Sequence, residues 1–210
     1  MHANYLLRWT VYARRQALAR LHRYFFTYWA RVRLSLQGAK VGAGLRVNGP
    51  LDLHLDPAGM LRIGERCRIQ SGFWENPVGG FRRTGIWVGP GAILAIGNGA
   101  GISSSTIVAL EDISIGDQVF IGGDCKIYDT DFHQLQPQAR LQNIGRVPSA
   151  PIRIGPRAFI GGHCIILKGV SVGEESVIGA GSVVTCCVPA AEVWAGVPAR
   201  FIRRVDPVRL

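Results

Sequence analysis

The first 51 residues contain no aspartate or glutamate. Nine basic residues, Arg8, Arg14, Arg15, Arg20, Arg23, Arg31, Arg33, Lys40 and Arg46, precede the first acid, Asp52, and carry nearly all of the formal +10 of the 210-residue chain. Charge this localised implies an acidic partner, either a phosphate-rich membrane face or nucleic acid. Proline and glycine are also missing until Gly38, so nothing there interrupts a helix. The five cysteines, Cys67, Cys125, Cys164, Cys186 and Cys187, include no CxxC and no paired spacing. That excludes a disulfide framework, gives no zinc site and suits a reducing compartment. No segment reaches the roughly 18 uninterrupted apolar residues of a membrane span. The N-terminus also lacks the uncharged apolar core and small-residue cleavage site of a secretory leader. A cytoplasmic location is the expectation.

What is present is a period. From Ile154 the chain reads IGPRAF, IGGHCI, ILKGVS, VGEESV, IGAGSV and then Val184, with an aliphatic residue at 154, 160, 166, 172, 178 and 184. Small residues (Ala158, Cys164, Val170, Ser176, Ser182) follow four places later, and glycine follows the aliphatic residue in four of the five repeats. A helix repeats near 3.6 and a strand near 2, whereas a strict six-residue repeat belongs to a parallel β-helix. Each six forms one short strand and one corner. The aliphatic residue fills the interior and the small residue fits beneath the corner, so three sixes close a triangular coil.

The same register is expected at Val41, Val47, Leu53, Ile63 and Ile69, then at Ile96, Ile102 and Val108 with corners at Ala100 and Thr106. It continues at Ile115, Ile121 and Ile127 with corners at Val119 and Cys125. Residues 1–37 read as a basic amphipathic helix. Its apolar stripe is Leu7, Val11, Leu18, Leu21, Phe25, Trp29, Val32 and Leu36, interleaved with Tyr5, Trp9, Tyr12, Tyr24 and Tyr28. Such a segment suits the interface of an anionic membrane along residues 4–36, or a stripe packed on the body of the protein, or both along different parts. Residues 38–205 form the coil, interrupted by polar excursions at 73–85 and 128–151, and 206–210 are a tail. The fold class expected is all-β, a left-handed parallel β-helix with an N-terminal helix. Nucleic acid is not expected, since the charge lies in an aromatic helix without a binding module.

The second excursion holds the best candidate for chemistry. His133 is able to take a proton at neutral pH and is preceded at two-residue intervals by Asp131 and Asp129. In an extended stub the three would point one way, letting Asp131 orient the imidazole. The run HQLQPQAR, His133 to Arg140, resembles the H-P-x-x-P-x-x-R loop of the maltose and galactoside O-acetyltransferases among the hexapeptide-repeat acyltransferases. Ile154–Thr185 is similar to that family's IG-x-x-x-W-IG and IGAGSVVTK runs, and GVPARFIRRV resembles its closing G-N-P-A-R. DTDFH and the arginine-rich N-terminus most resemble members that acetylate polysaccharide or glycolipid sugars.

The resemblance implies a homotrimer that takes acetyl-CoA as donor along the prism between neighbouring subunits, and a sugar or glycan as acceptor. It makes His133 the general base, sets Gly162, Ala180 and Thr185 against the pantetheine and adenylate, and sets Arg200 and Arg203 near the nucleotide phosphates. Candidate acceptor contacts are Ser104, where the sugar-binding enzymes carry Asn, together with Trp74, Arg83 and Arg140. Departures are Cys186 in place of a common Lys, Phe159 in place of Trp, and no match to the family's acceptor region in residues 1–40. No metal is expected. A γ-type carbonic anhydrase shares the coil but needs three imidazoles on zinc, and only His54, His133 and His163 lie in the prism, with no second His near the later two. Two alternatives stay open: N-acetylation of an amino sugar, and a non-catalytic trimeric scaffold for which the His133–Arg140 loop would have no use.

Overall fold

A computed structural model describes residues 2–206, and within residues 2–20 it describes the side chains of Arg8 and Tyr12 alone. The expected stripe positions Leu7, Val11 and Leu18, the aromatics Tyr5 and Trp9, the side chains of Arg14, Arg15 and Arg20, and residues 207–210 lie outside the described set.

The sixes become a left-handed triangular coil. Successive strands pass in turn to three sheets of six, eight and six strands. Within each sheet a strand pairs in parallel with those one coil earlier and one coil later, as Lys126–Tyr128 does with Thr106–Ala109 and Ile165–Ile166. The period therefore builds three interior columns. The first runs Val41, Ile63, Ile96, Ile115, Ile154 and Val172. Val47, Ile69, Ile102, Ile121, Ile160 and Ile178 make the second. In the third stand Leu53, Ile86, Ile107, Ile127, Ile166 and Val184. Each fully buried aliphatic side chain contributes about 1.5–3 kcal/mol, so the columns dominate the stability. The corner residues add a polar function. Cys125 Sγ donates to Gly161 O at 3.0 Å, Cys164 Sγ to Gly179 O at 3.1 Å, and Ser176 Oγ to Pro189 O at 2.6 Å. Each satisfies a carbonyl turned towards the interior.

The third column departs from the expected register. Ile107 and Ala109 point inward and Val108 faces out, while Ser105, not Thr106, sits at the buried corner. The turn Ser103–Ser105 is one residue shorter than the count of six assumes, because Ile107 follows Ile102 in the interior. Strand Gly85–Val88 follows the first excursion directly, and its Ile86 joins the third column at a position outside the expected list. The chain closes as a hairpin: Glu192–Gly196 adds in parallel to Val177–Ile178, and Ala199–Arg204 returns antiparallel.

His2–Leu36 is one helix. Its C-terminal third covers the first coil, where the column ends would otherwise face water. Ala30 and Leu34 are buried there. Thr27 Oγ1 accepts from Val47 N at 2.9 Å and donates to Val47 O at 3.1 Å, Arg33 Nη1 donates to Leu51 O at 3.0 Å, and Gln37 Oε1 accepts from Leu55 N at 3.1 Å. This is not the face expected to pack. Leu21, Phe25, Trp29 and Leu36 of the apolar stripe remain exposed, as do Tyr24 and Tyr28. The coil selects the face with small residues, which allow close approach, and leaves the aromatic face open. No helix among the described residues is long and apolar enough to cross a membrane.

Candidate functional site

The third sheet separates two edges that carry the candidate residues. At the corner leading into it from the second sheet, Ser104, Asp124, His163 and Gly181 stack in successive coils, each with positive φ (41°, 55°, 61° and 72°). Backbone bonds link the stack: Asp124 N to Ser104 O at 3.2 Å, His163 N to Gly123 O at 2.7 Å, and Gly181 N to Gly162 O at 2.8 Å. Gly162 and Ala180, two of the expected acetyl-CoA contacts, occupy the preceding position in the last two coils of this edge, where Ala180 is exposed. Arg200 and Arg203 are exposed on the terminal strand of the second sheet, and Arg203 Nη1 meets Asp206 Oδ2 at 2.9 Å. Thr185 stands apart from Gly162 and Ala180, just beyond strand Val183–Val184, on the far side of the third sheet.

The first excursion folds over the early end of this edge. A 3-10 turn, Pro77–Gly79, is started by Asn76, whose side chain accepts from Val78 N at 3.0 Å. Gly79 presses on the corner so closely that a Cβ there would lie 2.2 Å from Ser104 Cβ, and one on Gly123 would lie 2.5 Å from Gly79 N. Only glycine permits that approach. Ser104 is consequently buried, and its Oγ accepts from Gly72 N at 3.1 Å. The expectation that Ser104 touches a sugar is therefore corrected: its hydroxyl anchors the loop. Trp74 is 90% exposed on that loop, and Arg83 Nη1 meets Asp52 Oδ1 at 3.4 Å.

His133 stands at the other edge, where the chain leaves the third sheet after Tyr128. The extended stub is not found, because Phe132 has φ +63° and turns the chain. Asp129 is fully buried, accepting from Leu110 N and Glu111 N at 2.8 Å each. Burial pushes its carboxyl above the usual range despite those bonds. Asp131 Oδ1 meets Lys168 Nζ at 2.8 Å, and its Oδ2 is buried without a partner. Asp131 is therefore not hydrogen-bonded to His133. His133 is exposed and has no hydrogen-bond or ion-pair partner among the described residues. Arg140, on the short helix Pro137–Gln142, turns back to donate to Gln134 O at 3.2 Å and Leu135 O at 3.1 Å. It braces the turn that presents His133.

Four residues escaped the sequence reading as a group. Asp124 Oδ1 takes Lys126 Nζ at 2.9 Å and faces Arg82 Nε at 3.5 Å, while Asp124 Oδ2 faces His163 Nδ1 at 3.5 Å. Burial works to raise the Asp124 carboxyl, but the hydrogen bond and charge of Lys126, with Arg82 and His163, outweigh it and hold it low. The signal was legible: IGGDC, 121–125, and IGGHC, 160–164, place Asp124 and His163 at one repeat position in neighbouring coils.

Residues 151–186 match the family model described as the hexapeptide repeat of succinyl-transferase. The galactoside O-acetyltransferase of Escherichia coli K12 is 37% identical over 127 residues, 57% of this chain and 61% of that protein. That of Lactococcus lactis is 34% identical over 144 residues, 69% of this chain and 63% of that protein. The chain thus spans less than two thirds of the length of either relative. A galactoside acetyltransferase solved in complex with coenzyme A superposes with a TM-score of 0.51 at 26% identity, covering 90% of this chain and 80% of the other. Shared repeats in sequence and a shared coil in three dimensions make this chain similar to the hexapeptide-repeat acetyltransferases.

Proposed function

We propose that this protein transfers the acetyl group of acetyl-CoA to a hydroxyl of a sugar, within a surface polysaccharide or a lipid-linked glycan precursor, with His133 as general base. The observation that carries the reading is the pinned excursion: Asp129 and Arg140 hold the chain on both sides of an imidazole that is exposed and unpaired. His133 takes the proton of the acceptor hydroxyl as its oxygen attacks the thioester carbonyl. Collapse of the tetrahedral intermediate releases the thiolate of CoA, which recovers that proton from the imidazolium. A positioned base of this kind contributes on the order of 10²–10⁴-fold. Asp131 is held by Lys168 in this structure, and its buried Oδ2 would have to turn towards the ring to orient it. The donor would lie along the Gly162–Ala180 edge, its phosphates near Arg200 and Arg203, and Thr185, across the third sheet, would meet it only from a neighbouring copy. Guanidinium forks suit that role in the absence of a Lys at Cys186.

Those two edges flank the third sheet within one chain; in a trimer the imidazole of one copy would meet the donor edge of the next. The exposed face of the N-terminal helix supports a further partner, the anionic cytoplasmic face of a membrane, where a lipid-linked acceptor would be found. The helix also reaches the first excursion, His22 Nδ1 lying 4.0 Å from Glu75 Oε1. The reaction is tested by His133→Ala, assaying CoA release on a panel of glycans and acetyl-CoA binding separately. Turnover is expected to fall by about two orders of magnitude or more with donor binding intact. Unchanged turnover would overturn the assignment.

A further inference from the structure

Arg82, Asp124, Lys126 and His163 lie where the first excursion meets the Gly162–Ala180 edge, and no step of the proposed reaction uses them. Three cationic or potentially cationic groups converge on a single carboxylate. Lys126 donates to both Asp124 Oδ1 and Asp124 O, at 2.9 and 3.2 Å, so its ammonium is fixed in place. Asp124 keeps a side-chain exposure of 25% and Lys126 of 29%, whereas Arg82 remains 67% exposed. Arg82 faces Asp124 with Nε at 3.5 Å. Its two terminal nitrogens make no hydrogen bond among the described residues and the side chain is largely exposed, so the fork is left open to solvent. A planar guanidinium oriented from behind by a carboxylate, with an open fork, suits a carboxylate or phosphate taken bidentately.

The loop that carries Arg82 is firmly docked. Besides the Gly79 contact with Ser104, Thr84 N donates to Ser71 Oγ at 2.9 Å, Thr84 Oγ1 donates to Gln70 O at 2.8 Å, and Phe73 stacks on Phe81 with ring centroids 4.8 Å apart. A docked loop holds its cation in one place, which a merely solvated charge does not need. Asp124 neutralises one positive charge, and Arg82 and Lys126 together supply two, so the cluster retains a net positive charge.

We infer that this cluster is an acceptor subsite that selects a sugar bearing an anionic group, a carboxylate or a phosphate, with the Arg82 fork as its principal contact. The inference deepens the proposed acetyl transfer and rests on it for the word acceptor, but its test is binding without acetyl-CoA. The probes are an oligogalacturonate for the carboxylate, glucose 1-phosphate for the phosphate, and a maltooligosaccharide as the neutral control, titrated calorimetrically into the full-length protein. At least one anionic probe is expected to bind more tightly than the neutral one, and which of the two does so identifies the anion. Arg82→Gln is expected to weaken that probe by about tenfold or more, as loss of a charged hydrogen bond implies, while leaving the neutral probe unchanged. Lys126→Gln should weaken it less, since Lys126 is already engaged with Asp124. Arg82 is exposed, so its replacement leaves the fold intact, which an unchanged melting temperature verifies. Equal affinity for charged and neutral probes, no binding of either anionic probe, or an Arg82→Gln protein that binds like the original overturns the inference. Arg82-dependent binding without acetyl transfer to any glycan would sustain the subsite and remove the enzyme reading.

Discussion

Asp129 illustrates how a residue beside the site can serve the fold. Its two oxygens accept from Leu110 N and Glu111 N, and it is fully buried. Asp129→Ala would strand both amides away from water, each costing roughly 1–3 kcal/mol. Asp129→Asn keeps one acceptor and should lose less. Denaturant titration is the measurement, and equal stability of the alanine variant and the original protein would refute the account. At the same scale the exposed loop position of His133 was legible from the sequence. Its relation to the neighbouring acids was not, because the backbone turn at Phe132 cannot be read from DTDFH. Ser104 was misjudged for a similar reason. A corner position is open or covered according to a loop twenty-five residues earlier, and Gly79 covers it.

The elements differ in how far period alone describes them. A six-residue strand and corner has fixed inward positions, one aliphatic and one small, so its packing follows from the count, except where the turn at Ser103–Ser105 shortens it. A long helix has several faces. The coil takes the one with Thr27, Ala30 and Leu34, leaving Leu21, Phe25 and Trp29 outside. Because Leu34 is fully buried, deleting the helix would expose the first coil, so its outer face is best tested by point changes. Leu21, Phe25 and Trp29 replaced together by Ser should fold normally and float poorly with anionic liposomes, while the original floats and is partly released by salt. Arginines near an anionic surface each add on the order of 1 kcal/mol, which salt screens. Apolar burial by the stripe is what salt leaves behind. Flotation of both proteins alike, or of neither, would assign that face to contacts other than a membrane.

For the whole molecule, the arrangement of edges makes a sharp prediction. If His133 serves the donor edge of a neighbour, two chains that are inactive separately should complement each other. His133→Ala and Ala180→Trp, the latter obstructing the exposed donor edge, are unfolded together, refolded as mixed assemblies and assayed. Activity is expected to reappear in the mixture, since some interfaces then combine an intact histidine with an intact edge. A mixture as inactive as its components would mean that each chain completes its own site.

The sequence by itself determined the coil, two of its three interior columns and most of the third, most of its small corners and the loop that carries His133. Local period dictates which side chains face inward, and burying them leaves a triangular prism as the way to satisfy all of them at once. Only the tertiary structure decided which helix face packs, that Ser104 lies beneath Gly79, and that Arg82, Asp124, Lys126 and His163 meet at one corner. Those outcomes depend on contacts between segments far apart in the chain, where the size of a side chain and the closeness of two backbones choose among alternatives that no six-residue count distinguishes.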